Sequence, residues 1–529
     1  MSLAPDLETA CRQWADRPAI TFHGVTTTYG ELWEKASNLA RAYLAMGLEK
    51  GDRVVCQFPN TPEHVVAIAA AWAAGIVHVG TDNDLTGPEL VRLVDQVGAA
   101  ALLFQPRPDA DLTPLEAVHR ERPEVRAVVH GADLGEREGA GGLLRLADLL
   151  AGTVLESGSA KLPAAAGPSE VAVLLLTSGT TGKSKAVMES RSECWAKMQF
   201  FADAFRPGPS EVHLVFLPIA HVFGLRLALI ALLTGGRLVL LDRFTPTVAL
   251  GLVAEEGVTV LPGMPTHLTL ILAALDPERH DVRSLRWAVS AATALPAPVA
   301  AGVYDRLGVE MLYVFGCAEG FTTRTTDRSE ILAGSVGSTV FEGPEGTAPD
   351  GTVAIVDPAD NQRLPAGEVG EICFGARCPV EYWGDPPTAT DGWYHTGDLG
   401  RLDADGRLYV VGRLKELVNR GGLKVAPSEI EAAIVRHPGV LDAGVVATPD
   451  PVLGEAICAC IVPAGAGHGL PDLGELRAFV GATLARHKLP DEVCVIDKIP
   501  RTKIGKVDRP VLTALVVDAN IPRQRWRPR

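Results

Sequence analysis

Unbroken apolar runs alternate with segments of helical period through the first 400 residues of the chain. RVVCQF (53 to 58) and AALLF (100 to 104) have the length and composition of buried strands, whereas EHVVAIAAAWAAG (63 to 75) and ELVRLVDQVG (89 to 98) carry helical patterns. Such alternation predicts parallel sheets covered by helices. After about residue 360 the pattern shortens to strands separated by Gly-containing turns, as in DADGRLYVVGR (403 to 413). A helix is predicted to start at Ser428, whose hydroxyl would cap it while Glu431 reaches back, with Ile430, Ala433 and Ile434 on one face. The expected fold is α/β: a large N-terminal domain, residues 1 to 414, of parallel-sheet α/β subdomains plus a β-rich subdomain, and a small α+β C-terminal domain, residues 415 to 529. The last eight residues, PRQRWRPR, read as a mobile tail.

Composition narrows the class of protein. With 529 residues, 47% of them apolar, the chain can build several cores. A formal net charge of −15 argues against nucleic-acid binding, which needs a basic surface. Nine scattered cysteines, with Cys458/Cys460 and Cys373/Cys378 as the closest pairs, lack the paired spacing of a zinc site and fit reduced thiols in a cytoplasmic protein. The N-terminus has no apolar signal core, and the runs from Val65 to Val79 and from Leu225 to Leu241 are interrupted by Gly or Arg, so no membrane span is expected.

One loop stands out chemically. LLLTSGTTGKSKAV (174 to 187) contains Gly182-Lys183-Ser184, the end of a phosphate-binding P-loop, but the glycine that pattern requires five positions earlier is Thr177. The P-loop pattern therefore fails. What remains is a strand, VAVLLL (171 to 176), running into a loop with two glycines for tight turns, five Ser/Thr hydroxyls and two lysines. That set can cradle a polyphosphate.

This loop resembles the Thr-Ser-Gly-Thr-Thr-Gly-x-Pro-Lys-Gly-Val signature of the adenylate-forming superfamily of acyl-CoA synthetases, aryl-acid-AMP ligases, nonribosomal-peptide adenylation domains and luciferases. Ser184 replaces its Pro and Ala186 its last Gly. The resemblance implies an ATP cradle of Thr177, Ser178, Gly179, Thr180, Thr181, Gly182 and Lys185. Five further stretches resemble the family in order. LPIAHVFGL (217 to 225) implies that His221 borders the carboxylate pocket. VFGCAEG (314 to 320) implies Phe315 and Gly316 beside adenine and Glu319 as a Mg²⁺ carboxylate, with Ala318 where the family has Thr. WYHTGDLGRLDADG (393 to 406) implies Asp398 on the ribose hydroxyls. GRLKELVNRGGLKVAPSEIE (412 to 431) implies Arg413 on ribose or phosphate, Lys415 as hinge pivot and Gly421-Gly422 beside a pantetheine arm. PRTKIGKVDR (500 to 509) implies Lys506 as the catalytic lysine of a mobile lid.

By that resemblance the substrates are ATP with Mg²⁺, a small-molecule carboxylic acid, and CoA or a phosphopantetheine carrier protein as thiol acceptor. The residue after His221 is Val222, where the aryl-acid branch usually carries Asn, so an apolar acid is favoured. Phe223, Gly224, Ser290, Ala291, Ala292, Thr293, Cys317 and Ala318 would line a roomy pocket, leaving aryl, polycyclic and medium-chain acids open. Two other classes stay open on the residues alone. One is a phosphotransferase using the 174 to 187 loop, the other a nucleotide-binding homologue without catalysis.

Overall fold

The computed structural model describes residues 3–106, 111–131, 143–152, 162–163, 167–177, 185–291, 293–320, 323–339, 353–375, 381–385, 393–465, 469–502, 505–518 and 521–526. The chain divides into two compact units. One comprises Met1–Pro262, Ala274–Ala288 and Cys378–Ala389, the other Gly263–Ala273, Val289–Arg377 and Thr390–Arg529. These units cut the chain differently from the division at residue 415 derived from the sequence.

The first unit is built on parallel strands. One sheet has the order Leu143–Arg145, Arg126–Val129, Ala99–Phe104, Arg53–Gln57, Val77–Gly80, Val171–Thr177 and Lys185–Ser190, and only its last pair is antiparallel. The helices Pro62–Ala74 and Gly87–Val97 are the crossovers between successive parallel strands, as the alternating pattern predicts. Pro62 opens one helix, and a reciprocal Thr86/Glu89 capping box opens the other. A second set of strands runs Val260–Pro262, Val212–Val215, Arg237–Leu240 and Pro18–Phe22, all parallel, with Val25–Thr28 antiparallel at the edge.

The second unit is mostly antiparallel. Val353–Val356, Gly370–Gly375, Trp393–Leu402 and Leu408–Arg413 form a four-stranded antiparallel sheet. A further sheet is ordered Leu423–Val425, Val418–Arg420, Gly454–Pro463, Glu492–Val495 and Gln524–Arg525, with Val440–Asp450 also paired to Gly454–Pro463. Period-two alternation along these strands feeds two cores. Val445, Ile457, Ala459 and Ile461 pack on one face with helices Pro427–Ile434 and Leu473–Gly481, while Val446, Cys458, Cys460 and Val462 meet helix Arg509–Val517 on the other.

Two readings need correction here, and one gains a residue. The helix of the Ser428 region begins at Pro427 with Ala426 as its cap, because the Ser428 hydroxyl donates to the Val411 carbonyl and Glu431 is drawn away by Arg509 at 2.6 Å and the Val445 N–H at 2.7 Å. The C-terminal segment is not a free tail as far as Trp526. Gln524–Arg525 pairs with Glu492 and Val493, Arg523 meets Glu492 at 3.0 Å, and Arg477 stacks 4.4 Å over Trp526. Cys458 and Cys460 are joined by Cys494 from the adjacent strand, bringing three sulfurs within 4.8 Å of one another. Spacing along the chain could not reveal that third thiol.

The first unit also buries an ion cluster. Glu189, fully buried, receives Arg226 at 2.5 and 2.6 Å and Lys197 at 2.5 Å, tying strand Lys185–Ser190 to helices Arg191–Phe205 and Val222–Leu233. Burial alone would raise the Glu189 carboxyl, but the charges of Arg226 and Lys197 and their hydrogen bonds hold it at about 2. Its charge therefore stabilises the fold above an ordinary carboxylate value of 4.5, and that contribution is lost as pH falls toward 2. Replacing Glu189 by Leu leaves Arg226 buried without an anion and should cost about 3 to 5 kcal/mol in denaturant titration. The double replacement Glu189→Leu/Arg226→Leu should recover most of that loss and flatten the acid limb of the stability profile. Equal stability of the Glu189→Leu single variant and the parent at pH 7 would count against this account.

Candidate active site

The nucleotide-like loop begins where two strands diverge. Thr177 and Lys185 face each other as the last pair of an antiparallel ladder. Ser178, Gly179, Thr180, Thr181 and Gly182 lie outside the described residues. Lys185 sits 4.4 Å over the Tyr382 ring, a cation–π contact that restrains its long side chain. Tyr382 carried no signal in the sequence; its strand bridge to Val187 places it.

In the same unit His221 is the N-cap of helix Val222–Leu233, and its Nε2 lies 3.1 Å from Asp82 Oδ1. Asp82 follows strand Val77–Gly80, at the carboxyl end of a parallel sheet where α/β folds place functional groups. Position alone could have flagged it. Gly224 has a backbone reason of its own: a Cβ there would stand 2.3 Å from the Pro218 carbonyl oxygen and 2.6 Å from that of Leu217. Phe223 packs against Phe201 with ring centroids 6.5 Å apart. Val222 is half-buried at the helix start.

The second unit holds the remaining named residues, and several converge. Asp398 and Arg413 are directly opposite across the strand pair Trp393–Leu402 and Leu408–Arg413, with Arg413 Nε 2.7 Å from Asp398 Oδ1. The Thr396 hydroxyl accepts the Asp398 N–H at 3.0 Å and donates to the Ile372 carbonyl at 2.7 Å, which fixes the turn. Asp398 is buried; burial raises its carboxyl, and the charges of Arg413 and then Lys506 oppose that shift. Lys506 is drawn down by burial and by repulsion from Arg413, while Asp398, Glu416 and Cys317 pull the other way. Lys506, Arg413, Asp398, Glu416 and Cys317 thus share one electrostatic neighbourhood.

The Lys506 backbone is held as well. Its N–H donates to the Thr502 hydroxyl at 3.2 Å, its carbonyl accepts the Thr502 N–H at 2.7 Å, and Arg501 bridges to Val507 and to both Asp442 oxygens. Gly505 is buried against Met264 and His267, with its carbonyl 3.5 Å from the Thr266 hydroxyl. Glu416, missed in the sequence, is anchored by Arg509 at 2.6 Å.

Phe315 ends strand Glu310–Phe315, with its ring 6.2 Å from Phe374, and exposed Gly316 follows. Cys317 is pushed well above the ordinary thiol range by burial and by the charge of Glu319, so it stays protonated beside that carboxylate. Ala318 is buried. Ser290 and Ala291 are buried at the end of strand Trp287–Ala291, Ala292 lies outside the described residues, and the Thr293 carbonyl accepts the Tyr313 hydroxyl at 3.1 Å. Lys415 is exposed in the single helical turn Leu414–Glu416 between two sheets. Gly421 and Gly422 have φ of 58° and 86° and form the two-residue turn between Val418–Arg420 and Leu423–Val425. That mirror-image turn requires residues without a Cβ penalty, whatever else approaches them.

Comparison with known proteins identifies the class. The model of the AMP-binding enzyme family matches residues 7–380 and that of the AMP-binding enzyme C-terminal domain residues 429–506. The chain belongs to this family of adenylate-forming, AMP-producing acid–thiol ligases. It is 33% identical over 533 residues to triostin synthetase I of Streptomyces triostinicus, covering 97% of this chain and 94% of that protein. It is 33% identical over 523 residues to a salicylyl-CoA synthase / salicylate adenylyltransferase of a Streptomyces species, covering 95% and 92%. Among solved structures, ATP-bound MatB from Rhodopseudomonas palustris superposes with a TM-score of 0.80 at 27% identity, covering 98% of this chain and all of that one. No helix among the described residues is long and apolar enough to cross a membrane.

The charge cluster makes a directional prediction. Asp398→Asn removes an anion that supports the Lys506 ammonium, so the lysine should titrate lower than in the parent; Arg413→Gln removes a cation, so it should titrate higher. Nuclear magnetic resonance of the methylated lysine would follow both midpoints. Shifts of the same sign in the two variants would separate Lys506 from this pair.

Proposed function

We propose that the chain activates an apolar carboxylic acid, aromatic, polycyclic or of medium chain length, and transfers the acyl group to the thiol of CoA. The observation that carries this reading is the seating of Lys506 in one charged neighbourhood with Asp398 and Arg413. Asp398 can accept hydrogen bonds from both ribose hydroxyls, because one carboxylate oxygen pair offers several lone pairs and Arg413 occupies only part of them. Lys506 supplies positive charge where the acid's carboxylate oxygen attacks the α-phosphorus and pyrophosphate departs. Thr177 to Thr181, Gly182 and Lys185 hold the departing phosphates.

Glu319 would hold Mg²⁺. Its carboxylate is a hard oxygen donor, and the neighbouring Cys317 thiol stays protonated and does not compete. Bound there, the ion would offset charge on the phosphates. Phe315 and Gly316 flank the adenine. In the second half-reaction the thiol sulfur attacks the acyl carbonyl and AMP leaves with the bonding pair. Residues 415–529 act as the moving lid about Lys415, withdrawing Lys506 for this step, with Gly421 and Gly422 beside the pantetheine arm. His221, held by Asp82, orients the acid's carboxylate, and Val222, Phe223, Gly224, Ser290, Ala291, Ala292, Cys317 and Ala318 line its pocket. The aromatic acid in the name of the salicylyl relative supports the substrate class, and the absence of a polar residue at Val222 favours an acid without an ortho-hydroxyl. Eight described cysteines are all free thiols, in keeping with a cytosolic setting.

Carboxylate-dependent ATP–pyrophosphate exchange over a panel of acids, with and without CoA, tests this assignment. Lys506→Ala should lower adenylate formation by about 10²-fold or more. Supplied with synthetic acyl-adenylate and CoA, that variant should still form thioester at near the parent rate. Equal slowing of both half-reactions would exclude a lid that works in only one of them. Normal adenylation by the parent, with acyl transfer to a carrier protein but never to CoA, would replace CoA by the carrier as acceptor.

A further inference from the structure

A second cluster of ligand-type side chains lies in the first unit, apart from every residue named for the ligase reaction. Cys56 is on strand Arg53–Gln57, His78 is on the neighbouring parallel strand Val77–Gly80, and His64 is on the helix Pro62–Ala74 that joins them. Each side chain is fully buried, and one donor atom from each lies within 4.8 Å of the others. A trigonal site with metal–ligand bonds of about 2.0 to 2.3 Å separates its ligands by roughly 3.5 to 4 Å, so small side-chain rotations close this set.

The hydrogen-bond accounting sets these histidines apart from ordinary core residues. His64 Nδ1 lies 3.2 Å from the Pro59 carbonyl, which directs its N–H there and leaves Nε2 with a lone pair. That Nε2 and both ring nitrogens of His78 are buried without a hydrogen-bond partner among the described residues, and so is the Tyr43 hydroxyl. Buried polar atoms are nearly always satisfied, so two unsatisfied imidazoles that each bring a ring nitrogen close to a buried thiol call for a ligand. Burial keeps both imidazoles in the neutral form that donates lone pairs.

Donor chemistry and charge select the ligand. Two imidazoles and a sulfur suit a soft or borderline transition-metal ion, whereas Mg²⁺ and Ca²⁺ demand oxygen. Burial dominates the electrostatics of Cys56, His64 and His78, with backbone hydrogen bonds a smaller effect at His64 and His64 itself a smaller effect at His78, and no carboxylate or permanent cation contributes. A divalent ion on one thiolate would leave a net positive charge in this apolar interior, and a monovalent ion leaves none. We propose that Cys56, His64 and His78 form a buried three-coordinate Cu(I) site that braces the strand leading to Asp82. On binding, the Cys56 S–H bond breaks, a Cu–S bond forms, and one proton leaves to solvent; copper stays Cu(I).

The test uses the full-length reduced protein, loaded anaerobically with Cu(I) in competition with a chromophoric Cu(I) chelator. One equivalent should be retained, X-ray absorption should show two nitrogens and one sulfur, and the loaded protein should melt several degrees above the metal-free form. Cys56→Ala and His78→Leu should each abolish retention and the thermal gain, whereas Cys494→Ala, which disrupts the separate Cys458/Cys460/Cys494 cluster, should leave both intact. Copper bound through sulfur alone and lost in Cys494→Ala would overturn the assignment, as would retention of Zn²⁺ but not Cu(I). A metal-free parent that takes up no copper, together with a His64→Phe/His78→Leu variant more stable than that parent, would show the pair to be an unsatisfied core. If a variant fails to fold, stoichiometry and ligand type measured on the parent still decide between these outcomes.

Discussion

A single cross-strand register sets up the chemistry of the second unit. Because Asp398 lies opposite Arg413, a carboxylate and a guanidinium meet at 2.7 Å on a surface that also buries both of them in part. A one-residue slip would turn every side chain of the strand to the other face and separate the pair. The buried carboxylate then provides the negative charge that lets Lys506 approach Arg413, a like-charged neighbour, in a half-buried position. Remove the register and Lys506 loses its counter-charge.

The loop that carries Lys506 is shaped by constraints of the same kind. Arg501 is fixed to Asp442, and Gly505 is pressed against Met264 and His267, where any side chain at residue 505 would meet sulfur at 3.2 Å. Arg509, three residues beyond the lysine, spans Glu416 and Glu431 and so ties the loop's helix to the turn that holds Lys415. Charge pairing, more than apolar packing, determines where this lysine sits.

Periodicity revealed the strands and crossover helices of the first unit because each is decided by residues close in sequence, from the RVVCQF run to the Thr86/Glu89 box. Motifs singled out Asp398, Arg413 and Lys506, which the structure brings into one charged neighbourhood. What escaped the sequence depends on partners far away along the chain. Ser428 and Glu431 have the spacing of a capping box, yet Val411 and Arg509 claim their side chains. The basic C-terminal segment looks solvated until Glu492 and Arg477 take up Arg523 and Trp526. Asp82 and Cys494 are single residues whose roles arise only when the sheet brings them beside His221 and beside Cys458 and Cys460.

The first unit places two buried polar clusters in contrasting states. Around Glu189 the buried carboxylate is met by two cations, Arg226 and Lys197, and Arg226 also meets the Cys194 sulfur at 3.1 Å. Such a network tolerates burial because its hydrogen bonds are complete. Around His78 the polar atoms are just as deeply buried, but His64 Nε2 and both His78 ring nitrogens have no hydrogen-bond partner among the described residues. Each neutral imidazole offers one lone pair, and with the Cys56 sulfur these lie close enough to meet on a single ligand. A cation that accepts electron pairs would complete this second network as Arg226 and Lys197 complete the first.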